Sequence, residues 1–114
     1  MIINITKNTV LCKNKKFLRS MFSKTRGLMF SKKIIDAGYI FFLNEPGRIK
    51  LHMFLVFFPI DVLFLDENKI VIELKENLRP FTFYCSKNKV KYVIELPEKT
   101  ISNSRTYKLD KIDF

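Results

Sequence analysis

One carboxylate interrupts the most apolar stretch of the chain. Asp61 stands between Ile60 and Val62, in a run from Leu51 to Leu65 broken otherwise only by His52 and Pro59. A buried charge needs a partner, and His52, the sole histidine of the sequence, is one candidate. If the chain turns between Phe54 and Pro59, strands 49–53 and 60–66 lie side by side and His52 approaches Asp61. Such a pair could line a small cleft that binds a polar ligand or does acid/base work. The simpler reading is a buried ion pair, or an aspartate capping the turn after Pro59. No nucleophile accompanies the pair, so hydrolase-triad chemistry has little support and the balance leans away from an enzyme.

Other chemistries find fewer residues. With Cys12 and Cys85 as the only cysteines, no CxxC pair and one histidine, a structural zinc site is not expected. The segment Gly47-Arg48-Ile49-Lys50 has one glycine and no helix pattern after it, so it is no phosphate loop. No cofactor is called for. Phe41, Phe42, Phe54, Phe57, Phe58, Phe64, Phe81 and Phe83 lie in strand-like apolar runs and read as core rather than as stacking platforms.

Charge offers a second class of function. The net charge is +10. Residues 1–50 hold 11 Lys and Arg against Asp36 and Glu45, whereas residues 51–114 hold 10 against 9 acids. A basic half can recruit nucleic acid or anionic lipid, with Lys13, Lys15, Lys16 and Arg19 as the candidate patch; weak, nonspecific nucleic-acid binding is the most that charge alone implies. A solvated lysine-rich surface is the simpler account.

The elements that must position these residues emerge from periodicity. Phe17 to Phe30 has helical spacing, with apolar residues at 17, 18, 21, 22, 28 and 29. Residues 2–5 and 9–13 read as two short strands or as one with an irregular middle, and 39–43, 49–58, 60–66, 69–75, 81–85, 90–96 and 107–112 read as strands, with a turn signal at Asn44-Glu45-Pro46-Gly47 and a hairpin turn around Glu67-Asn68. The stretch 49–58 is apolar on both faces, as a central strand is; residues 98–105 read as loop. The fold class expected is mainly β, α+β at the margin: a compact antiparallel sandwich or barrel-like domain of about eight short strands with one helix in the N-terminal half. At 114 residues with 47% hydrophobic content, one domain over 1–114 is expected. Folded, it exposes roughly 6,600 Å² by area scaling. The start lacks a signal-peptide apolar core, and no stretch reaches the ~20 residues of a membrane span. A cytoplasmic protein with both thiols free is expected.

Three segments together resemble a known family. They are Arg26-Gly27-Leu28-Met29-Phe30, the stretch Ile49 to Asp66 with His52-Met53 followed by Pro59-Ile60-Asp61, and Lys91 to Pro97. In order and spacing they are similar to the domain of unknown function 192 family, also known as uncharacterised protein family 0127, over about residues 10–112. The resemblance implies a compact, mostly antiparallel β domain with one helix, and no particular reaction. It adds Arg26 to His52 and Asp61 as the polar residues inside shared motifs, so Arg26 is the other candidate partner of Asp61. Together the three would line a cleft for a small polar or anionic ligand; a nucleic-acid-associated accessory protein, or an interaction module without a ligand, are the alternatives. Where family members usually have glycine, this chain has Lys99 and Leu109, residues that tolerate positive φ poorly. Many bacterial members carry Trp where His52 stands.

Overall fold

The computed structural model describes residues 1–18, 36–53 and 57–114. Ten strands run through them: β1 (Ile2–Asn4), β2 (Thr9–Cys12), β3 (Asn14–Leu18), β4 (Ala37–Gly47), β5 (Lys50–His52), β6 (Ile60–Leu65), β7 (Val71–Leu78), β8 (Phe83–Cys85), β9 (Val90–Pro97) and β10 (Ile112–Asp113). One short helix, α1 (Thr100–Ser104), comes after β9. A five-stranded sheet in the order β3-β4-β9-β6-β7 forms the middle layer. A β10-β1-β2 sheet covers one face and a β5-β8 ribbon the other. The result is a layered sandwich, and the sheet does not close into a barrel among the described residues.

The middle sheet is apolar on both sides because it is covered on both sides. Phe41, Val93, Phe64 and Val62 face a cluster completed by Leu51, Met53 and Leu78. Their neighbours in sequence, Ile40, Ile94 and Leu63, face the opposite cluster with Ile2, Leu11, Ile101 and Ile112. Every residue of β6 is therefore buried, each large side chain contributing about 1.5–3 kcal/mol. The doubly buried strand is thus 60–65 rather than 49–58: β5 buries Leu51 but exposes Lys50 and His52.

Pairing confirms the β6–β7 hairpin. Asp66 Oδ1 accepts from the amides of Asn68 and Ile70 at 2.9 and 3.0 Å, and Lys69 takes the left-handed position with φ 63°. Other expectations change. The helix expected from Phe17 begins inside β3, which runs parallel to β4 with Phe17 opposite Ile40; residues 19–35 lie outside the described residues. Asn44 to Gly47 do not turn the chain but form an irregular stretch of β4, where the register with β9 shifts between Phe42 and Gly47. The segment read as a loop contains α1, and of 107–112 only Ile112 joins a strand. Phe41, Phe58 and Phe64 are core as expected, but Phe42, Phe57, Phe81 and Phe83 are 40%, 58%, 58% and 63% exposed, and Phe54 lies outside the described residues.

Candidate functional site

Asp61 is buried, as its apolar setting requires. Its strand lies between β9 and β7, so β5 is not its neighbour, and His52 projects from the β5-β8 ribbon into solvent. No hydrogen bond or ion pair joins His52 to Asp61 among the described residues; Arg26 lies outside them. Backbone amides hold the carboxylate instead. The pairing of Ile60 with Leu78 but Val62 with Lys75 leaves one extra residue in β7, a bulge. Asn77 sits in it at φ 53°, and its amide donates to Asp61 Oδ1 at 3.0 Å. Asp61 Oδ2 accepts from the amide of Ile101 in the first turn of α1, at 2.9 Å. Lys99, the residue before that helix, supplies no side-chain cap, so Asp61 caps the helix from a distant strand. Lys13, Lys15 and Lys16 are exposed along the edge of the middle sheet, as a polyanion contact would need; Arg19 lies outside the described residues.

A second bulge builds a second buried carboxylate. Phe64 pairs with Glu73 but Leu65 pairs with Val71, so residue 72 is extra. Strict alternation would put Glu73 on the side of Val71. The bulge instead sends Leu74 to the Val71 side and turns Glu73 toward Tyr84, whose ring lies 5.6 Å from that of Phe64. Glu73 Oε2 accepts a short hydrogen bond from the Tyr84 hydroxyl. Oε1 accepts from the amides of Lys87 and Asn88 and from Asn88 Nδ2, at 2.9, 3.1 and 3.1 Å. Burial alone would raise the pKa of Glu73, but these donors outweigh it and hold the carboxyl below its ordinary value. Burial, then the Glu73 hydrogen bond and charge, pushes Tyr84 up to about 12. A carboxylate with four donors, one of them the Tyr84 hydroxyl, fixes the shape of this corner.

That shape is the floor of a cleft of about 540 Å³, lined by Glu73, Leu74, Tyr84, Lys87, Asn88, Tyr107 and Lys108. The volume is in the range of small-molecule sites. Its far wall rests on a polar knot. Asp110 Oδ2 accepts from Asn4 Nδ2, from the Tyr107 amide and from Lys7 Nζ, each at 2.9 Å. Lys7 Nζ also sits 4.4 Å from the centre of the Tyr107 ring. Burial would raise Asp110, and the bonds from Asn4, Tyr107 and Lys7 bring it below its ordinary value. Sequence reasoning missed Glu73 although the signal was there: like Asp61, it is a lone charge in an apolar run, Ile70 to Leu74. Among the described residues no group of three His, Cys, Asp or Glu is placed to hold a metal. Cys12 is buried and Cys85 exposed, each a free thiol on a different sheet; burial, with Asp36 nearby, pushes Cys12 up to about 12.

Comparisons with known proteins agree with the fold and the motifs. The model of the DUF192 family, described as "Uncharacterized ACR", matches residues 2–114. A UPF0127 protein of Thermococcus sibiricus is 35% identical over 116 aligned residues, covering 100% of this chain and 74% of the relative. The UPF0127 protein PH1112 of Pyrococcus horikoshii is 32% identical, covering 85% of this chain and 84% of its own. The crystal structure of a protein of unknown function from Novosphingobium aromaticivorans superposes with a TM-score of 0.80 at 20% identity, over 88% of this chain and 74% of that one, and so shares the fold. With the family model spanning nearly every residue and relatives above 30% identity matched over most of their length, this chain belongs to the DUF192 family, the UPF0127 proteins.

Proposed function

We propose that the chain is a binding module that takes a small anionic ligand in the cleft over Glu73 and Tyr84. The observation that carries this reading is the cleft itself: about 540 Å³ with two lysines, two tyrosine rings and an asparagine on its walls. Lys87 and Lys108 supply positive charge for a carboxylate or phosphate. Tyr84 and Tyr107 supply flat apolar area for the rest of the ligand. The Glu73 bonds fix Tyr84 and the 87–88 backbone before any ligand arrives, which lowers the ordering cost of binding. The ligand class is the one expected for a cleft at Arg26, His52 and Asp61. The position proposed differs: Asp61 does line a smaller cleft, of about 360 Å³, but Glu76 and Glu98 line it too and disfavour an anion, both Asp61 oxygens accept from backbone amides, and His52 faces away.

A thermal-shift screen against dicarboxylates, sugar phosphates and nucleotides tests it. A ligand at a hundred times its Kd adds about 2.7 kcal/mol of stability, an upward shift of roughly 10 °C for a domain of this size. The Lys87→Glu, Lys108→Glu double variant should abolish the shift while leaving the unliganded Tm close to wild type. An absence of any hit, or hits that persist undiminished in the double variant, would reject the reading.

A further inference from the structure

The β5-β8 ribbon presents an outer face that the core does not use. Leu51 is buried beneath it and Tyr84 is half-buried, while the register sets His52 opposite Phe83 and Lys50 opposite Cys85, all four exposed. Phe83 is 63% exposed, and the Lys50 ammonium lies 4.6 Å from the centre of its ring. Two residues earlier, Phe81 is 58% exposed and takes φ 61°, a left-handed conformation that is an outlier for a bulky side chain. Its amide is bonded to the Met53 carbonyl at 2.9 Å, which holds it there. The strained backbone keeps this ring at the surface, where one edge contact with Phe57, at 5.3 Å between ring centres, holds it in place and much of the ring stays open to water. Beside Phe83 a groove of about 280 Å³ is lined by Lys75, Arg79, Phe83 and Tyr84 among others. Neither 48–53 nor 79–85 contains an Asp or a Glu.

We propose that this face binds single-stranded nucleic acid, with Phe81 and Phe83 as stacking platforms and Lys50, Lys75 and Arg79 taking the phosphates. Every base has a π-face, so ring stacking is sequence-tolerant, and a cationic groove tracks the backbone. A duplex hides those faces. An anionic membrane also attracts aromatic and basic residues, but it needs an apolar crown to enter the acyl boundary. Here an ammonium sits on the ring face itself, where it would be dragged out of water with Phe83; beside a stacked base it sits near the phosphates instead. The groove shares Tyr84 with the Glu73 cleft, but Phe81, Phe83, Lys50, Lys75 and Arg79 do not line that cleft, so the proposal stands whether or not the cleft binds a metabolite. It also differs from the lysine patch on β3.

The test is a fluorescence-polarisation titration of the full chain with labelled oligothymidine and oligouridine of about twelve nucleotides, beside the same length of duplex and vesicles of phosphatidylcholine with phosphatidylserine. Single strands should bind best, and tightly enough at low salt to titrate. Phe83→Leu, which keeps the apolar volume and removes the ring, should weaken binding between about 5-fold and about 100-fold. Phe83→Tyr should bind like wild type. Lys50→Glu should flatten the dependence of log K on log salt by at least about one counterion. Charge reversal at Lys13, Lys15 and Lys16 should leave most of the binding. The proposal is overturned by equal affinity for duplex, by a folded Phe83→Leu that binds like wild type, by loss of binding only in the β3 reversal, by Phe83-dependent vesicle binding without oligonucleotide binding, or by no binding at all.

Discussion

Asp61 and Glu73 are two solutions to one problem, a carboxylate carried in apolar strand text. Each is stabilised by N–H donors of the backbone, so the loss on mutation depends on what an amide can still accept. Asp61 uses both oxygens for backbone amides. Asp61→Asn sets an NH₂ against one of those donors and leaves a buried amide unpaired, which costs about 1–3 kcal/mol per group. We expect a loss of about 2–4 kcal/mol in urea denaturation, little changed by salt because neither contact is an ion pair. A near-neutral Asp61→Asn would mean that the amides find other partners. Glu73 differs, since its three-donor oxygen can be a glutamine carbonyl while the amide donates to the Tyr84 oxygen. Glu73→Gln should therefore be much milder than Glu73→Ala. It should also release Tyr84. The wild-type phenol, pushed up to about 12, should ionise well above the ordinary tyrosine value of about 10 in ultraviolet titration, and the variant should move back toward that value. Because the folded pKa is raised, the stability linked to Tyr84 is present below about pH 10 and is lost as pH climbs toward about 12. Unchanged titration in Glu73→Gln would separate the shift from this hydrogen bond.

At the scale of elements, what local pattern could reveal depends on whether neighbours disturb the period. The β6–β7 hairpin was legible because Asp66 to Lys69 form a self-contained turn whose bonds are made within five residues. Strand β9 was legible as a strand because its pairing with β6 runs unbroken from Tyr92 to Pro97, but its alternation suggests one buried face, whereas Val93 to Leu96 are all buried. The inner alternation of β7 was not, since two extra residues each invert the facing of the residues after them. Strand β3 was hidden for another reason. It is held by parallel pairing to a strand more than twenty residues away, and Phe17-Leu18 suit a helix equally well by spacing. The candidate cleft was less legible than the fold, because Glu73, Lys87 and Tyr107 are brought together only by tertiary pairing. The glycine positions give a sharper lesson. Lys99 and Leu109, standing where the family resemblance implies glycine, adopt φ of 70° and 76°, so the turns form without the residue that fits them best. A left-handed non-glycine residue costs about 1–2 kcal/mol, and the extra freedom glycine gives the unfolded chain takes back about 0.4–1 kcal/mol. Each of Lys99→Gly and Leu109→Gly should then raise stability by roughly 0.5–1 kcal/mol in chemical denaturation. Both side chains are exposed, so no packing is lost. A loss of stability in both would show that the turns carry no strain.

The whole molecule exposes 6699 Å², close to the roughly 6,600 Å² that a compact chain of its mass should show. Its weakness lies in charge rather than in burial. At neutral pH the chain carries +10, and each carboxylate that protonates adds to a repulsion that already opposes the compact state. Asp110 is where this meets a specific structure, for its bonds to Asn4 and Lys7 tie the first strand to the last turn of the fold. Both Asp110 and Glu73 have folded pKa values below the ordinary carboxylate range. The stability they contribute is thus present above the unfolded value, about 4, and is lost as pH falls through their lowered folded values. Thermal unfolding monitored by circular dichroism should show Tm nearly level from pH 7 down to about 5 and falling steeply below about 4. Asp110→Asn should be less stable than wild type at pH 7, because a neutral amide loses the Lys7 pair and sets an NH₂ among donors. As pH drops the two curves should converge, since a protonated Asp110 is itself a neutral carboxamide-like group. Salt separates the local effect from the global one. Near 1 M the screening length is about 3 Å, short enough to remove the general repulsion among surface lysines and raise Tm at low pH in both proteins. The gap between them at neutral pH should survive in large part, because it rests on short hydrogen bonds inside the knot. A gap that stays constant at every pH would place the stabilising contribution of Asp110 outside its ionised carboxylate.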